Sequence, residues 1–359
     1  MTFAFAAAGT GGHIYPALAV ARALAASGVP NEDIVFFGGD RLETTAVPDA
    51  GFELVQLEVR GLRRSMTADN LKLPGMVRRA AADVTADLER RRPGVLTVFG
   101  GYVSVPAAMG ARKVGMPYVI HEQNAVPGLA NRYVARRAAR TLVAFAPALE
   151  RLPGAEVVGN PLAPAFQAFD RDELRASALE RYGLPADRPV IGIFGGSLGA
   201  LALNEVVPRL VAESGGAFSV LHLTGSDHHT GVAAEASTVT GWATAPFEPE
   251  MQYFYAASDL VLSRAGAMTV SELAATATPA IVVPLPAGKG YQARNASDLE
   301  QAGGALIVGQ DRIAEVPGLL STAIVDSARL GEMRRAAWSV ARPDSATRVA
   351  EVLMEVARV

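Results

Sequence analysis

One pattern, present in both halves of the chain, most constrains its fold: a short apolar run, a turn rich in glycine, and then a helical pattern. Apolar residues 3–8 lead into the glycine-rich segment 9–13, and apolar residues 190–194 lead into the segment 195–200. The segment 263–272 follows a third apolar run. The first N–H groups of a helix lack an intrahelical partner and lie at the positive end of its dipole, so they favour an anion such as phosphate. The pattern therefore predicts anion-binding turns between strands and helices.

Strand-like runs and helical patterns alternate along the chain, which indicates parallel sheets with helices on both faces. The predicted strands are residues 3–8, 34–37, 54–57, 95–99, 118–120, 141–144, 190–194, 218–223, 260–262, 280–283 and 305–308. The predicted helices are residues 15–26, 73–91, 103–114, 128–139, 170–182, 200–212, 251–257, 268–277, 291–301 and 345–359.

A chain of 359 residues is long enough for two domains of ordinary size. Two prolines and a glycine within residues 158–164 end the first alternating pattern. We therefore predict an N-terminal domain at residues 1–160, a C-terminal domain at residues 161–342, and a last helix at residues 343–359 that packs back on the N-terminal domain. The predicted fold class is α/β, with two doubly wound, Rossmann-like domains whose parallel sheets face each other across a cleft.

The composition excludes several classes of protein. The chain has no cysteine, so it forms neither disulfides nor thiolate metal sites. No stretch approaches the roughly 18 uncharged apolar residues of a spanning helix, so a soluble or peripheral protein is expected. Residues 1–160 carry a net charge of +4 and residues 161–359 one of −7, which suggests different partners for the two halves. The negative total, without interleaved aromatic and basic residues, argues against nucleic-acid binding.

Glu272 is the side chain that most restricts the class of ligand that the second half of the chain can bind. It lies about one turn into a predicted helix, where a carboxylate can accept hydrogen bonds from two neighbouring hydroxyls, as on a ribose. Together with the anion-binding turn it predicts a nucleotide pocket. A dinucleotide oxidoreductase is the least favoured class, because Ile14 and Ser197 stand where the pattern G-x-G-x-x-G needs glycine.

Seven segments, taken together and in order, resemble one known family. They are residues 9–16 (GTGGHIYP), 100–104 (GGYVS), 121–124 (HEQN), 158–161 (VGNP), 195–200 (GGSLGA), 264–272 (RAGAMTVSE) and 292–296 (QARNA). They are similar to the MurG family of peptidoglycan N-acetylglucosaminyltransferases, within glycosyltransferase family 28, whose fold is called GT-B. The resemblance covers nearly the whole chain.

The resemblance implies a reaction. N-acetylglucosamine moves from UDP-N-acetylglucosamine to the 4-hydroxyl of undecaprenyl-pyrophosphoryl-N-acetylmuramoyl-pentapeptide (lipid I), with inversion at the anomeric carbon, to give lipid II. Enzymes of this kind use protein dipoles in place of an essential cation, so no cofactor or metal is expected to be obligatory, and the donor is UDP-N-acetylglucosamine. The pair His228-His229 beside Asp227 is interpreted as a solvated loop, because the pattern supplies no third ligand.

By position, the resemblance assigns substrate binding to a set of residues in both halves. The set is Thr10, Gly11, Gly12, Asn124, Ser197, Glu248, Ala267, Met268, Thr269, Val270, Ser271, Glu272, Gln292 and Asn295. In this assignment the helix start at residues 267–270 and Ser197 hold the diphosphate, Glu272 holds the ribose, and residues 247–248 read the uracil through their backbone. The two asparagines and Gln292 bind sugar hydroxyls.

The sequence departs from the family pattern at two of its positions. Family members usually carry an apolar residue at the place of Glu248, a change that a backbone contact tolerates. They also carry an arginine at the place of Ala163, so its contact near the nucleotide is either lost or supplied by another residue such as Arg264.

His13 is the first candidate for the general base, because it ends the first glycine turn and imidazole titrates near neutral pH. Two other roles for His13 stay open: donation to the acceptor's pyrophosphate together with Gly11 and Gly12, and a hydrogen bond to backbone at a helix start. Glu122, at the end of a predicted strand, is the alternative base, and a role in bracing the loop of Asn124 is the structural alternative.

The acceptor implied by the resemblance is a membrane lipid. A basic and apolar stretch near residues 60–92 suits an anionic membrane surface, although an ordinary amphipathic helix gives the same pattern. We therefore expect a peripheral protein on the cytoplasmic face of the cell membrane, with lipid I and other cell-wall synthesis enzymes as partners. A UDP-N-acetylglucosamine 2-epimerase and a non-catalytic nucleotide-sugar-binding protein are the alternative functions.

Overall fold

The structure is a computed structural model that describes residues 1–61, 73–196, 199–286 and 290–358. The chain forms two compact units. The first comprises Met1–Pro164 together with the segment that begins at Pro343, and the second comprises Ala165–Arg342. The second unit is thus inserted into the chain of the first.

The first unit contains one parallel sheet, in which seven strands lie within the described residues. They are β1 (Phe3–Ala7), β2 (Ile34–Gly38), β3 (Glu53–Gln56), β4 (Val95–Gly100), β5 (Tyr118–Glu122), β6 (Arg140–Val143) and β7 (Glu156–Val157). Their order is β3-β2-β1-β4-β5-β6-β7. Phe3 of β1 pairs with Ile34 of β2 on one side and Val95 of β4 on the other.

Helices cover both faces of this sheet. In the first unit they are α1 (Gly11–Ala26), α2 (Glu43–Asp49), α3 (Leu73–Arg91), α4 (Ser104–Lys113), α5 (Leu129–Ala135) and α16 (Ser345–Ala357). Successive strand side chains point to opposite faces. Phe3 and Phe5 therefore pack in one core with α1 and α16, whereas Ala4 and Ala6 pack in another with α3 and α4. Burial on both faces explains why β1 is apolar throughout.

The second unit repeats this plan with six described strands. They are β8 (Val190–Phe194), β9 (Ser219–Leu223), β10 (Trp242–Ala245), β11 (Leu260–Ser263), β12 (Ala280–Val282) and β13 (Ala305–Ile307), in the parallel order β10-β9-β8-β11-β12-β13. Its helices are α6 (Pro164–Gln167), which begins at the junction, α7 (Arg171–Arg181), α8 (Leu201–Asn204), α9 (Val207–Ser214), α10 (His229–Ala236), α11 (Met251–Ala257), α12 (Ala267–Ala275), α13 (Tyr291–Ala302), α14 (Val316–Ile324) and α15 (Ser327–Ser339). The predicted α/β class with two Rossmann-like domains is confirmed.

Several elements differ from the sequence prediction. The structure adds β7, β10, α2, α6, α10, α14 and α15, and it divides the predicted helix at residues 200–212 into α8 and α9. The strand β10 was missed because it is a short edge strand with a single large apolar residue, Trp242. Residues 228–229, predicted as a solvated loop, stand at the start of α10, with His228 as its N-cap.

The strand order creates one switch point in each sheet. The strand β1 lies between β2 and β4, and its turn leads to α1 on one face while the turn after β4 leads to α4 on the other. In the second unit, β8 lies between β9 and β11. Ligands of doubly wound sheets bind at the carboxyl ends of strands at such points. The glycine turn at residues 9–13, the described residues of the turn at 195–200 and the segment 263–272 lie at these two places.

Candidate functional site

In the first unit, the turn after β1 brings Thr10 and His13 together. Thr10 is the N-cap of α1, and its Oγ1 lies 3.2 Å from His13 Nδ1. The imidazole lies against Gly100, where an added Cβ would stand 2.7 Å from His13 Cδ2, so only glycine leaves room for the ring. Burial lowers the pKa of His13, opposed by its backbone contact at Ala8 and the charge of Glu43. The ring is therefore neutral near pH 7 and can accept a proton.

Glu43, which the sequence analysis did not single out, ties three carboxyl-end loops together. Its fully buried carboxylate accepts hydrogen bonds from Gly9 N (3.1 Å), Gly39 N (2.8 Å) and the hydroxyl of Tyr102 (3.0 Å). Burial alone would raise the pKa of Glu43, but the donors, led by the Gly9 amide, hold it below its usual value. The signal available in the sequence was its place shortly after β2, at the same sheet edge as the first glycine turn.

Glu122 is buried at the end of β5, and both of its carboxylate oxygens are occupied. Oε1 accepts from Asn124 N (2.9 Å) and Asn124 Nδ2 (3.3 Å), and Oε2 accepts from Gly128 N (3.1 Å) and Asn131 Nδ2 (2.9 Å). Burial raises the pKa of Glu122, although these donors oppose the shift. The contacts favour the bracing role over that of a base, and they fix Asn124 at the sheet edge.

The segments 121–124 and 158–161 contact each other, which explains why both belong to one pattern. His121 Nε2 lies 2.9 Å from Gly159 O, and Asn160 Nδ2 donates to Gln123 O at 3.2 Å. Burial lowers the pKa of His121 to about 4, so its ring is neutral, and it lies between Gly159 O and the side-chain amide of Gln123.

In the second unit, the turn after β11 leads directly into α12. Gly266 is the N-cap, and Ala267, Met268 and Thr269 form the first turn and are partly exposed. Val270 is buried, and Ser271 Oγ donates to Ala267 O at 3.0 Å. The first N–H groups of this nine-residue helix are thus at the carboxyl edge of the sheet, beside the switch point.

Glu272 is partly exposed on α12 and is held by one tyrosine. The hydroxyl of Tyr255 donates to Glu272 Oε2 at 2.8 Å, and the tyrosine ring is fully buried among Phe166, Phe194 and Phe254. Desolvation raises the pKa of Glu272 to about 7, opposed by this hydrogen bond. Tyr255 could not be singled out from the sequence, because its position in α11 is typical of an ordinary core residue.

Three other predicted residues lie around the turn. Asn295 is fully buried and donates to Ala265 O at 3.2 Å, so in this structure it supports the turn from α13. Gln292 Oε1 accepts from Leu285 N at 2.8 Å. Arg264 donates to Val283 O at 3.0 Å and so lies between the ends of β11 and β12. Ser197 lies outside the described residues.

The carboxylate of Glu248 is buried and turned toward α7. It accepts two hydrogen bonds from Arg181, at 2.9 and 3.1 Å, and one from the hydroxyl of Tyr182 at 2.6 Å. Glu250 N donates to it at 2.8 Å. These donors explain how this chain accommodates a carboxylate at the apolar position of the pattern.

Among the described residues, no three or more histidine, aspartate or glutamate side chains lie together in a group that could hold a metal ion. The triplet Asp170-Arg171-Asp172 has the Asp-x-Asp spacing of some metal sites, but Asp170 is the N-cap of α7 and accepts from Asp172 N and Glu173 N. Its role in this structure is therefore that of a helix cap.

Comparisons with known proteins bear on both units. The description "Glycosyltransferase family 28 N-terminal domain" matches residues 3–143, and "Glycosyltransferase family 28 C-terminal domain" matches residues 190–349. A curated relative from Mycobacterium avium, named UDP-N-acetylglucosamine–N-acetylmuramyl-(pentapeptide) pyrophosphoryl-undecaprenol N-acetylglucosamine transferase, is 41% identical over 98% of this chain and 88% of its own length.

Solved structures agree with this placement. The crystal structure of Acinetobacter baumannii MurG is 29% identical, with a TM-score of 0.80, and the match covers 99% of this chain and all of that one. A UDP-GlcNAc 2-epimerase from Neisseria meningitidis aligns with a TM-score of 0.72 over 99% of this chain and all of that one, but it is only 12% identical and shows the fold alone. The chain therefore belongs to glycosyltransferase family 28, and within it to the MurG N-acetylglucosaminyltransferases.

Proposed function

We propose that this protein transfers N-acetylglucosamine from UDP-N-acetylglucosamine to lipid I, an undecaprenyl-pyrophosphoryl-N-acetylmuramoyl-pentapeptide, and so forms lipid II. Membership of the MurG family is the main support. The structural observation that carries the proposal is the partly exposed Glu272, held by Tyr255 on a helix whose first N–H groups lie at the carboxyl edge of the sheet. One helix thus offers an acceptor for ribose hydroxyls and donors for a diphosphate.

In this proposal the second unit binds the donor. The amides of residues 267–269 and the side chain of Ser271 lie at the start of α12, where the partial positive charge of the helix stabilises the diphosphate. The amide of Val270 donates to Gly266 O at 2.9 Å and closes the first turn. In this proposal Arg264, three residues before the helix, supplies the positive charge that the family's arginine gives at the place of Ala163, and its contact with Val283 O supports this by holding it beside the start of α12. Burial lowers its pKa, but a guanidinium stays charged at neutral pH.

The first unit binds the acceptor in this proposal. The turn of Thr10, Gly11 and Gly12 opens α1 and presents its N–H groups to the acceptor's pyrophosphate. His13 takes the proton from the acceptor's 4-hydroxyl while that oxygen bonds to the anomeric carbon. The bond from the anomeric carbon to the β-phosphate oxygen breaks on the opposite face, and UDP leaves with the electron pair.

We infer that the reaction proceeds without a bound cation, because backbone amides and Arg264 can stabilise the charge of the leaving diphosphate. Turnover in excess chelator is expected to stay within about twofold of that in added Mg²⁺, since preorganised dipoles of this kind need no metal. Loss of turnover in chelator, restored by adding a divalent ion back, would contradict this part of the proposal.

We propose that the first unit contacts the cytoplasmic face of the membrane. Residues 62–72 of the predicted basic stretch lie outside the described residues, but the adjoining α3 exposes Arg78, Arg79 and Arg90. On α5, Leu129 and Tyr133 are exposed beside further arginines. Basic residues with exposed apolar groups suit an anionic surface. None of the described helices is long and apolar enough to cross a membrane.

The test is an assay with labelled UDP-N-acetylglucosamine and a short-chain lipid I analogue. We expect one labelled sugar to appear on the acceptor, and no change of the donor when the acceptor is omitted. Binding of UDP without any sugar transfer would overturn the proposal. Co-sedimentation with vesicles that contain anionic lipid, compared with neutral vesicles, tests the membrane contact separately.

A further inference from the structure

We propose that Arg181, Tyr182 and Glu248, together called the carboxylate clamp, position the backbone of residues 247–248 to recognise the uracil of the donor. The inference rests on the proposed function, because it concerns the nucleotide that the second unit would bind. The three side chains of the clamp bond to one another through Glu248. We assign them no contact with the nucleotide, so they are positioning residues for the backbone of residues 247–248.

The clamp holds the loop between β10 and α11 at a buried carboxylate. Glu248 is 4% exposed and receives four hydrogen bonds, of which two come from the fork of Arg181 and one from Tyr182. A guanidinium and a carboxylate that share two parallel bonds fix their mutual orientation as well as their distance. The side chain of Glu248 is therefore directed into the unit, away from any ligand at the loop's backbone.

The backbone of the same loop is left available. Within the part of the chain that the structure describes, neither the N–H nor the carbonyl of Phe247 or Glu248 takes part in a hydrogen bond. Uracil presents a donor at N3 and an acceptor at O4, which an amide backbone can match. Cytosine presents the opposite pair, an acceptor at N3 and a donor at N4. A loop fixed in one orientation can therefore distinguish the two bases.

Arg181, which donates two of the hydrogen bonds in the clamp, is itself held in place by its own contacts and those of α7. Arg181 ends α7, and its guanidinium lies 4.7 Å from the centre of the Tyr253 ring on α11. At the beginning of α7, Arg171 donates to Tyr255 O at 3.1 Å, and Arg175 donates to Ala257 O at 2.7 Å. The beginning of α7 is thus bonded to the carboxyl end of α11, and the end of α7 is bonded to the loop before α11. A change at Arg181 is therefore transmitted to residues 247–248.

An uncompensated carboxylate would disturb this loop. Without Arg181, Glu248 keeps only the Tyr182 hydroxyl and the Glu250 amide as donors, so its charge favours movement toward water. Such movement would turn the backbone of residues 247–248 and place a negative charge near a polyanionic ligand. The clamp therefore acts on donor affinity and base selectivity, not on the transfer step.

The experiment measures inhibition constants of UDP and CDP, with kcat and both KM values, for the parent and for Arg181→Met. We expect the variant to bind UDP about tenfold more weakly and to lose most of its preference for UDP over CDP, with kcat and acceptor KM within about twofold. Arg209→Met is the matched control, because Arg209 forms an exposed ion pair with Glu213 in the same unit. It should leave all of these values unchanged.

Tyr182→Phe provides a second variant should Arg181→Met fail to fold, and a smaller loss of selectivity is expected because one of four donors is removed. If the clamp is purely structural, the variants should have a lower melting temperature but the same UDP-to-CDP ratio as the parent, and that result would overturn the inference. A parent that binds no UDP would overturn the proposed function and the clamp together, whereas a parent that binds UDP, with variants of unchanged ratio, would overturn the clamp alone.

Discussion

In the first unit the carboxylates beside the candidate site are buried and occupied by the protein's own donors, whereas in the second unit Glu272 stays partly exposed and, among the residues that the structure describes, accepts from one donor. Glu43 and Glu122 accept seven hydrogen bonds between them from surrounding loops and from α5. Glu272 accepts one, from Tyr255. The difference indicates which ligand group each site can bind. In the first unit the carboxylates are already occupied, so the turn offers N–H groups to an anion. In the second unit the carboxylate of Glu272 can still accept hydrogen bonds from ligand hydroxyls.

The largest expected effect sharpens the role of His13 in the first unit. Replacement of His13 by Gln should lower kcat by about 10²- to 10⁴-fold, the usual contribution of a general base, with little change in donor KM. Because burial lowers the pKa of His13, the acid limb of the parent's pH–rate profile should lie below the usual imidazole value. The measurement is kcat against pH with both substrates saturating.

The competing role of His13 has a different signature. If His13 only donates to the acceptor's pyrophosphate, the variant should show a raised acceptor KM, and the acid limb of the pH–rate profile should remain. That outcome would remove the general base from the first unit and leave an anion site alone.

The second-largest expected effect tests Glu272, the partly exposed carboxylate of the second unit. Glu272→Ala should raise donor KM by roughly ten- to a hundredfold, since a charge-assisted hydrogen bond contributes roughly 1.5–3 kcal/mol. Acceptor KM should not change. Glu235→Ala, at an exposed position on α10, serves as the control. An unchanged donor KM would mean that Glu272 is held by Tyr255 for structural reasons only.

The third effect tests the inward carboxylates. Glu43→Gln removes a charge that accepts from Gly9, Gly39 and Tyr102, and it should destabilise the protein by roughly 1–3 kcal/mol, as expected when buried donors lose an acceptor. The Gly9 turn should lose its orientation, so acceptor KM should rise about tenfold while donor KM stays the same. Glu89→Gln, exposed on α3, is the control. A variant with both KM values unchanged would show that the turn needs no anchor.

The smallest of these effects concerns pH. Because the pKa of Glu272 is raised to about 7, half of it is protonated at neutral pH without ligand. Ribose hydroxyls bind the ionised form, so donor KM should rise by up to about tenfold from pH 8 to pH 6. A raised pKa also means that stability without ligand falls as pH rises through about 7. Glu272→Gln should therefore flatten both dependences, which calorimetry and melting curves can measure.

The sequence was sufficient for the switch-point turns because their signals are local. Each apolar strand, its glycines and the helix after it are adjacent in the chain, so residues 9–13 and 263–272 could be placed at strand ends. Glu272 and His13 could be proposed for the same reason. Whether they bind substrate stays a prediction.

The supports of those turns could not be predicted, because their partners are distant in sequence. Glu43 meets Gly9 and Tyr102 only after β2, β1 and β4 align, and Tyr255 meets Glu272 only after α11 packs beside α12. Asn295 shows the same limit. Its fully buried side chain donates to Ala265 O, a contact between α13 and the turn after β11 that the sequence could not reveal, and its role toward a sugar stays a prediction.

Because α16 packs on the first unit, the chain could be permuted so that this helix comes directly before β1. Val349, Val352 and Leu353 are fully buried with the first strand's phenylalanines, and the end of the helix lies at Ala357 against Gly94. Gly94 N in turn donates to Thr2 O at 2.9 Å, so the end of α16 lies close to the start of β1. A circular permutant that places this helix ahead of β1 through a short linker would make each unit one continuous stretch, which would allow the two halves to be produced as separate proteins and titrated against each other.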